Sequence, residues 1–167
     1  LAKELLNRGQ LVALPTETVY GLAANAFDAA AVARIFEVKG RPGHNPIIVH
    51  VNSVAMARRC AALWPDVADL LARSFWPGPL TIVVPARGGL AAAVLGGGTT
   101  VAVRVPAHAV ARALAAALGY CITATSANRS GESPAATGVD VAAAFATASD
   151  VDLLLDAGSF VEIDALV

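Results

Sequence analysis

Short apolar runs alternate along the 167-residue chain with longer segments whose apolar residues follow a helical spacing. The short runs are rich in Val, Ile and Leu, which is typical of strands that are buried on both faces. Strands are predicted at residues 11–14, 47–51, 80–84, 101–105, 120–124 and 151–155.

The segments between these strands carry helix signals. Asp28 and Ser53 are N-cap residues before helices at 29–38 and 54–63, and Gly119 ends an alanine-rich helix at 107–118. Further helices are predicted at 1–8, 66–75 and 139–147. The alternation of strands and helices predicts an α/β fold with a twisted mixed sheet, as one domain over residues 1–167.

The composition of the chain argues against several classes of protein. The chain is 56% hydrophobic and 15% charged, but charge, Pro or Gly interrupts each apolar segment well before about 18 residues. We therefore expect a soluble, cytoplasmic protein with no membrane contact. A net charge of −1 argues against a generally basic nucleic-acid binder. Cys60 and Cys121 lack CxxC spacing, and we expect buried thiols, not a disulfide or a metal site.

Polar side chains concentrate in four short motifs. Each motif is placed at the end of a predicted strand or in the loop beside it, where α/β sheets bind ligands. The motifs are Pro15-Thr16-Glu17-Thr18-Val19-Tyr20-Gly21-Leu22, Lys39-Gly40-Arg41, Arg104-Val105-Pro106 and Ser126-Ala127-Asn128.

Each motif has two interpretations when it is read alone. Lys39 and Arg41 suit nucleotide phosphates, or they are solvated cations that end a helix. The loop around Ser126 is a polar cradle for a nucleotide or an acyl-phosphate, or a set of ordinary turns. Arg104, inside an apolar strand, needs a carboxylate or a bound anion. His50 also interrupts an apolar strand, and a core histidine is the simpler explanation.

Other motifs are missing or carry no chemistry. Trp76-Pro77-Gly78-Pro79 is explained by turn geometry alone. The sequence contains no GxxxxGK[ST] loop, no GxGxxG after a strand, no HExxH and no GxSxG. The common nucleotide folds, a bound transition metal and a serine nucleophile therefore have no support.

Together the motifs resemble the YrdC/Sua5 family, the threonylcarbamoyl-AMP synthases that begin the t6A modification of tRNA at position 37. The resemblance runs from residue 5 to about residue 137, through PTETVYGL, KGRP followed by NPIIVHV, WPGPLT, RVP and TSANRSG. It implies the YrdC-like fold, with a large ligand cavity on one side of an open twisted sheet. It also implies a nucleotidyltransferase that joins L-threonine, bicarbonate and ATP into threonylcarbamoyl-AMP and pyrophosphate.

The resemblance also assigns roles to residues. The catalytic set is Lys39, Arg41, Ser126 and Asn128. The threonine-binding set is Thr18, His50, Arg104 and Ala124. The nucleotide-binding set is Lys39, Arg41, Asn45, Thr100, Ser126 and Pro134. ATP is a substrate, Mg²⁺ arrives with it, and no protein metal site is implied. The product would pass to a tRNA threonylcarbamoyl transferase complex in a transient contact, with weak RNA binding possible.

One segment departs from the family. Family members carry an Asp-Gly-Gly segment followed by a Ser-Thr-containing strand near the C-terminus, whereas here Asp156-Ala157-Gly158 leads into residues 159–167 without that pair. The additional C-terminal domain of longer members is also expected to be absent. The alternatives are a carbamoyl-adenylate-forming carbamoyltransferase module, a non-catalytic nucleotide- or RNA-binding module, and a structural domain whose polar motifs are only turns.

Overall fold

The computed structural model describes residues 1–146 and 150–158. Its helices are α1 (Ala2–Asn7), α2 (Ala29–Lys39), α3 (Val54–Cys60), α4 (Asp66–Phe75), α5 (Ala109–Leu118) and α6 (Gly138–Ala144). Its strands are β1 (Val12–Leu14), β2 (Gly21–Ala23), β3 (Ile48–His50), β4 (Ile82–Pro85), β5 (Thr100–Arg104), β6 (Ile122–Ser126) and β7 (Leu153–Leu154). A short 3₁₀ helix at Ala92–Leu95 lies in the glycine-rich segment before β5.

The strands form one mixed sheet in the order β4-β5-β3-β6-β2-β1-β7. The β3–β5 and β1–β7 pairs are parallel, and the other pairs are antiparallel. Because β6 runs against β3, Ala124 pairs with Ile48 and Ile122 pairs with His50. The predicted α/β class and mixed sheet are confirmed.

The two faces of the central strands have different partners, because side chains alternate along a strand. Val49, Val101 and Val103 point into a buried cluster with Met56 and Ala57 of α3 and Ala68 and Ala72 of α4. The opposite face carries Ile48, His50, Arg104 and Ala124, which line a cavity. The apolar packing of one face thus leaves the other face free for a site.

Element boundaries differ from the predictions where tertiary pairing decides them. β2 was not predicted, because Gly-Leu-Ala has weak strand preference and the strand forms between β1 and β6. β6 begins and ends two residues after the predicted strand, so Ser126 lies in the sheet and not in a loop. α3 ends at Cys60, since Ala61 is extended and bridges to Ala86.

Two predictions concern residues that lie partly outside the ranges described by the structure. The predicted end of the last helix at Thr147, and residues 159–167 of the divergent tail, lie outside the described residues. Across residues 1–146 and 150–158, no helix is long and apolar enough to cross a membrane. Cys60 and Cys121 are buried and free, as the sequence predicted.

Candidate active site

A cavity of about 170 Å³ lies along the sheet face described above. Its walls come from β3, β5 and β6 and from the loop between β1 and β2. The lining residues that matter below are Thr18, Tyr20, His50, Arg104, Ala124 and Ser126. The structure therefore brings the whole predicted threonine-binding set and Ser126 into one cavity.

The polar residues do not gather at a single sheet edge. The parallel strands β3 and β5 end at His50 and Arg104, which are register partners. β6 is antiparallel to β3 and ends at Ser126, opposite Gly21 of β2. Because strand direction alternates here, these strand ends do not meet at one edge of the sheet. Instead the cavity runs along the strands and has a distinct set of polar groups at each end.

The loop between β1 and β2 spans this cavity. The Thr16 hydroxyl donates to Val19 O over 2.6 Å and lies 3.0 Å from the Thr18 hydroxyl. The Thr18 and Val19 amides approach the same Thr16 oxygen. This turn places Thr18 in the cavity wall and sends Glu17 towards the end of β5.

Arg104 is fixed at one end of the cavity by two acceptors. Its side chain is nearly inaccessible, with 3% of the residue exposed. Nη2 donates to Glu17 Oε1 over 2.7 Å, and Nε donates to Gly78 O over 3.1 Å. Burial raises the pKa of Glu17, but the Ala107 amide and Arg104 outweigh it and hold that pKa below its ordinary value. Within the described residues, Nη1 is the guanidinium nitrogen left for a ligand.

His50 lies beside Arg104 as a neutral imidazole. Its Nδ1 is buried and makes no hydrogen bond to the part of the chain that the structure describes. Burial, assisted by the positive charge of Arg104, lowers the pKa of His50 to about 3. A neutral ring with an unpartnered nitrogen in a cavity wall is suited to one polar contact with a ligand.

His50 should make the protein sensitive to acid. Its pKa is about 3 in the folded state and 6.5 ordinarily, so between these values only the unfolded chain binds the proton. The contribution of neutral His50 to the free energy of unfolding is therefore present above pH 6.5 and is lost progressively as the pH falls towards 3. Urea unfolding at about pH 7 and about pH 5 should show that wild type loses about 2 kcal/mol more than His50→Gln.

The matched control for this experiment is His44→Gln, because His44 is exposed. It should follow wild type at both pH values. Equal acid losses in wild type and His50→Gln would show that His50 does not stay neutral in the folded protein.

Lys39 holds the end of β6 from behind the cavity. The residue is 2% exposed, and Nζ donates to the carbonyls of Ser126 and Asn128 and contacts Asn128 Oδ1 at 3.4 Å. The Asn128 amide in turn donates to Glu132 O over 2.7 Å. Burial, with a smaller effect from Arg41, lowers the pKa of Lys39 to about 8. Lys39 and Asn128 thus fix the loop that follows Ser126.

The remaining predicted nucleotide contacts lie towards the Ser126 end. Arg41 is half-buried, and its side chain donates to the carbonyls of Asn45 and Pro46. Thr100 is exposed at the start of β5, and Pro134 is exposed in the loop after β6. None of these three residues lines the cavity itself.

Tyr20 connects the cavity to the C-terminal segment. Its hydroxyl lies 2.9 Å from Asp156 Oδ1 and 2.8 Å from Gly158 O, and the Ala157 amide donates to it over 3.0 Å. Burial and the Asp156 carboxylate raise the pKa of Tyr20, against the Ala157 amide. The segment that departs from the family pattern is therefore joined to the cavity wall.

Glu17, Gly78 and Tyr20 are site residues that the sequence did not single out. Glu17 lies 87 positions before Arg104, and Gly78 lies 26 positions before it. One signal in the sequence pointed to Glu17: it lies in a polar motif, and Arg104 elsewhere in the chain needed a carboxylate or an anion as its partner. For Gly78 there was none, since the acceptor is a backbone carbonyl.

Comparison with known proteins shows the family to which the chain belongs. The Sua5/YciO/YrdC family model, described as telomere recombination, matches residues 4–165. A protein of Pyrococcus abyssi called threonylcarbamoyl-AMP synthase is 49% identical over 132 residues, which are 79% of this chain and 39% of that protein. A Halorhodospira halophila protein of the same name is 42% identical over 87% of this chain and 76% of its own length.

The fold of this chain is also similar to that of a solved structure. The crystal structure of P. abyssi Sua5 complexed with L-threonine has a TM-score of 0.91 and 44% identity, over 95% of this chain and 46% of that one. This chain spans about two fifths of the length of the first curated relatives that it matches. The family model covers nearly the whole sequence, and the chain belongs to the Sua5/YciO/YrdC family.

Proposed function

We propose that this chain is a threonylcarbamoyl-AMP synthase domain, which makes threonylcarbamoyl-AMP and pyrophosphate from L-threonine, bicarbonate and ATP. The observation that carries the proposal is Arg104, a buried guanidinium held by Glu17 and Gly78, whose Nη1 meets no acceptor among the described residues. The names of the similar proteins and the threonine in the P. abyssi structure support the same substrate.

The Arg104 end of the cavity suits an amino acid. A guanidinium binds a carboxylate through charge-assisted hydrogen bonds, and burial strengthens the attraction. The Thr18 hydroxyl and the neutral His50 ring offer contacts to the substrate hydroxyl and amine without adding charge. Ala124, midway along the cavity, is small and leaves room for the substrate. We therefore assign Thr18, His50, Arg104 and Ala124 to threonine.

The Ser126 end suits a nucleotide. Arg41 supplies positive charge beside it, Lys39 holds the loop from Ser126 to Asn128 in place, and Ser126 and Asn128 orient polar groups of the ligand. Asn45, Thr100 and Pro134 would contact the nucleotide around the mouth. The Arg104 end of the cavity would thereby hold the amino acid, and the triphosphate would approach it from the Ser126 end.

The chemistry needs positioning more than it needs a protein nucleophile. Bicarbonate loses hydroxide to give CO₂, the threonine amine attacks this CO₂ to form a C–N bond, and the amine proton combines with the hydroxide as water. A carbamate oxygen then attacks the α-phosphorus of ATP, and the bond to the departing pyrophosphate breaks. Holding the reactants together and neutralising phosphate charge are the tasks left to the protein.

Mg²⁺ enters the proposal as part of the ATP substrate. The described residues contain no group of three or more His, Cys, Asp and Glu side chains placed to hold a metal ion. Mg²⁺ is usually held by substrate phosphates with one or two protein groups, which is compatible with this site.

The finer biological context is also a proposal. Threonylcarbamoyl-AMP would pass to a tRNA threonylcarbamoyl transferase complex for t6A37 formation, in the cytoplasm. The contact would be transient, and any RNA binding weak, because the chain has a net charge of −1. We further propose that residues 1–167 form one YrdC-like domain.

The decisive assay measures pyrophosphate release by the purified chain with ATP, Mg²⁺ and bicarbonate. We expect release only when L-threonine is added, with formation of threonylcarbamoyl-AMP. L-Alanine, which lacks the side-chain hydroxyl, is the matched control and should support little release.

Three other results would contradict the proposal. Release that requires carbamoyl phosphate and ignores threonine would indicate a carbamoyl-adenylate-forming module. Tight binding of short duplex RNA at physiological salt without turnover would indicate a binding module. If neither ligand binding nor turnover occurs in the folded protein, the polar motifs are structural.

Gly78→Ala tests the support of Arg104. A Cβ at Gly78 would lie 2.3 Å from Phe75 O, so the backbone must move, and with it the carbonyl that accepts from Arg104 Nε. We expect a loss of about 1–3 kcal/mol in the free energy of unfolding. Threonine affinity, measured by calorimetry, should fall several-fold.

Gly88→Ala is the control, because a Cβ there meets nothing within 4 Å. It should leave both threonine affinity and stability close to wild type. Unchanged threonine affinity in Gly78→Ala would show that the Gly78 carbonyl does not position Arg104.

A further inference from the structure

The two cysteines of the chain meet in a second cavity, away from the site described above. They are 61 positions apart in the sequence, Cys60 at the end of α3 and Cys121 immediately before β6. Both line a cavity of about 230 Å³ together with Met56, Arg59 and Tyr120. Neither thiol belongs to the proposed reaction.

The surroundings of the two thiols differ. The Cys60 thiol donates to Met56 O over 3.6 Å, and its residue is 3% exposed, while Cys121 is 1% exposed. The neighbouring Arg59 side chain is exposed, and it donates to Gly119 O over 3.0 Å at the other side of the cavity. A guanidinium thus stands beside a pair of thiols.

This arrangement makes Cys60 the more reactive thiol. Contact with the Cys121 thiol lowers the pKa of Cys60 against the effect of burial, and Arg59 lowers it further. Contact with Cys60 and burial raise the pKa of Cys121. A thiolate next to a cation is the usual form of a reactive cysteine.

We infer that Cys60 and Cys121 are a redox modification site, which low-molecular-weight disulfides oxidise to an intramolecular disulfide between the end of α3 and the start of β6. The inference rests on the cavity that both thiols line and on the adjacent Arg59. It is independent of the proposed synthase activity.

The reaction is an exchange that balances. The Cys60 thiolate attacks one sulfur of the small disulfide, whose S–S bond breaks, and one small thiol leaves with the Cys60 proton. Cys121 loses its proton and attacks Cys60 Sγ of the mixed disulfide, releasing the second small thiol. Two protein thiols are oxidised and one small disulfide is reduced to two thiols.

The test exposes the reduced, folded chain to oxidised glutathione and follows thiol content and intact mass. Wild type should lose two thiols together with a mass change of two hydrogens, and dithiothreitol should reverse it. Because the bond closes a loop of about 60 residues, the oxidised form should melt about 10 °C higher. Mass gain by glutathione, covalent dimers, or two unchanged thiols in the folded protein would overturn the inference.

Variants test the order of events. Cys121→Ser should stop at a stable mixed disulfide on Cys60, and Cys60→Ser should leave Cys121 unreacted. Arg59→Gln should slow oxidation several-fold, whereas the matched control Arg58→Gln, whose native arginine pairs with Asp69, should not. If a variant is unstable, phenylarsine oxide on wild type replaces it: bridging of both thiols by one arsenic supports the pair, and no bridging overturns it.

Discussion

Replacing Arg104 with glutamine should raise the KM for threonine about 100-fold or more and leave the KM for ATP nearly unchanged. Arg104 is buried at the amino-acid end of the cavity, and one of its guanidinium nitrogens has no acceptor in the part of the chain that the structure describes. Truncating one partner of a buried charge pair costs about 2–5 kcal/mol, which corresponds to this change in affinity. Steady-state kinetics of pyrophosphate release, with threonine and ATP varied separately, measures it.

The same substitution leaves the Glu17 carboxylate without its cation in a half-buried place, which destabilises the fold. The double variant Glu17→Gln/Arg104→Gln removes this charge. It should recover much of the stability and none of the threonine affinity. Recovery of both would show that Arg104 acts only as a structural partner of Glu17.

Arg112→Gln is the matched control. Arg112 lies in α5 near the end of β5, and its side chain donates to the carbonyls of Pro106 and Ala107 without lining the cavity. Its threonine KM should stay within about two-fold of wild type, a change below 0.5 kcal/mol. An equal effect in both variants would show that the effect on threonine is not specific to Arg104.

The sequence identified Arg104 as a candidate site residue but not the groups that surround it. A lone cation among valines must have a partner, so its importance follows from elementary electrostatics. The sequence reading left a structural carboxylate and a bound anion equally open. The structure supplies the carboxylate, Glu17, and still places Arg104 in the wall of the cavity. The sequence placed Glu17 in a polar motif but did not pair it with Arg104, because only the path of the β1–β2 loop over the sheet brings the two together.

The fold class was predictable for a different reason from the site. Apolar runs and helix caps are local, and they placed most elements within a few residues. The shape of the cavity depends on strand direction, which is not local. β6 became antiparallel to β3 by pairing with the unpredicted β2, and this separates Ser126 from His50 along the cavity.

The two ends of the cavity explain why the polar motifs are so far apart in the sequence. The loops at the two ends of the cavity connect different pairs of elements. The groups for the amino acid and for the nucleotide therefore come from different loops. The loop between β1 and β2 connects both ends, because Glu17 in the loop reaches Arg104 and Gly21, where the loop enters β2, lies opposite Ser126. A change in this loop should therefore affect both substrates together.

Replacing Lys39 with methionine should lower turnover by about 100-fold or more and reduce the free energy of unfolding by about 2–4 kcal/mol. Methionine keeps the length and apolar packing of the side chain and removes the ammonium donors. The carbonyls of Ser126 and Asn128 would then be left without the buried donor that joins them. The loop after β6 would lose the geometry that the nucleotide end requires.

Turnover at saturating substrate and urea unfolding, both at about pH 7, measure these two effects. At that pH the ammonium form prevails, since the pKa of Lys39 is about 8. Lys3→Met is the control, because Lys3 is exposed on α1, and neither quantity should change.

Lys39→Arg separates position from charge. It keeps a cation, but a planar guanidinium cannot occupy the space in which one Nζ meets three oxygens of Ser126 and Asn128. We expect it to be nearly as inactive as Lys39→Met. Rescue of turnover by arginine, or a loss of turnover in Lys39→Met at unchanged stability, would mean that Lys39 acts through its charge on the phosphates. If turnover and the free energy of unfolding both fall in both variants, the role of Lys39 is to fix the end of β6.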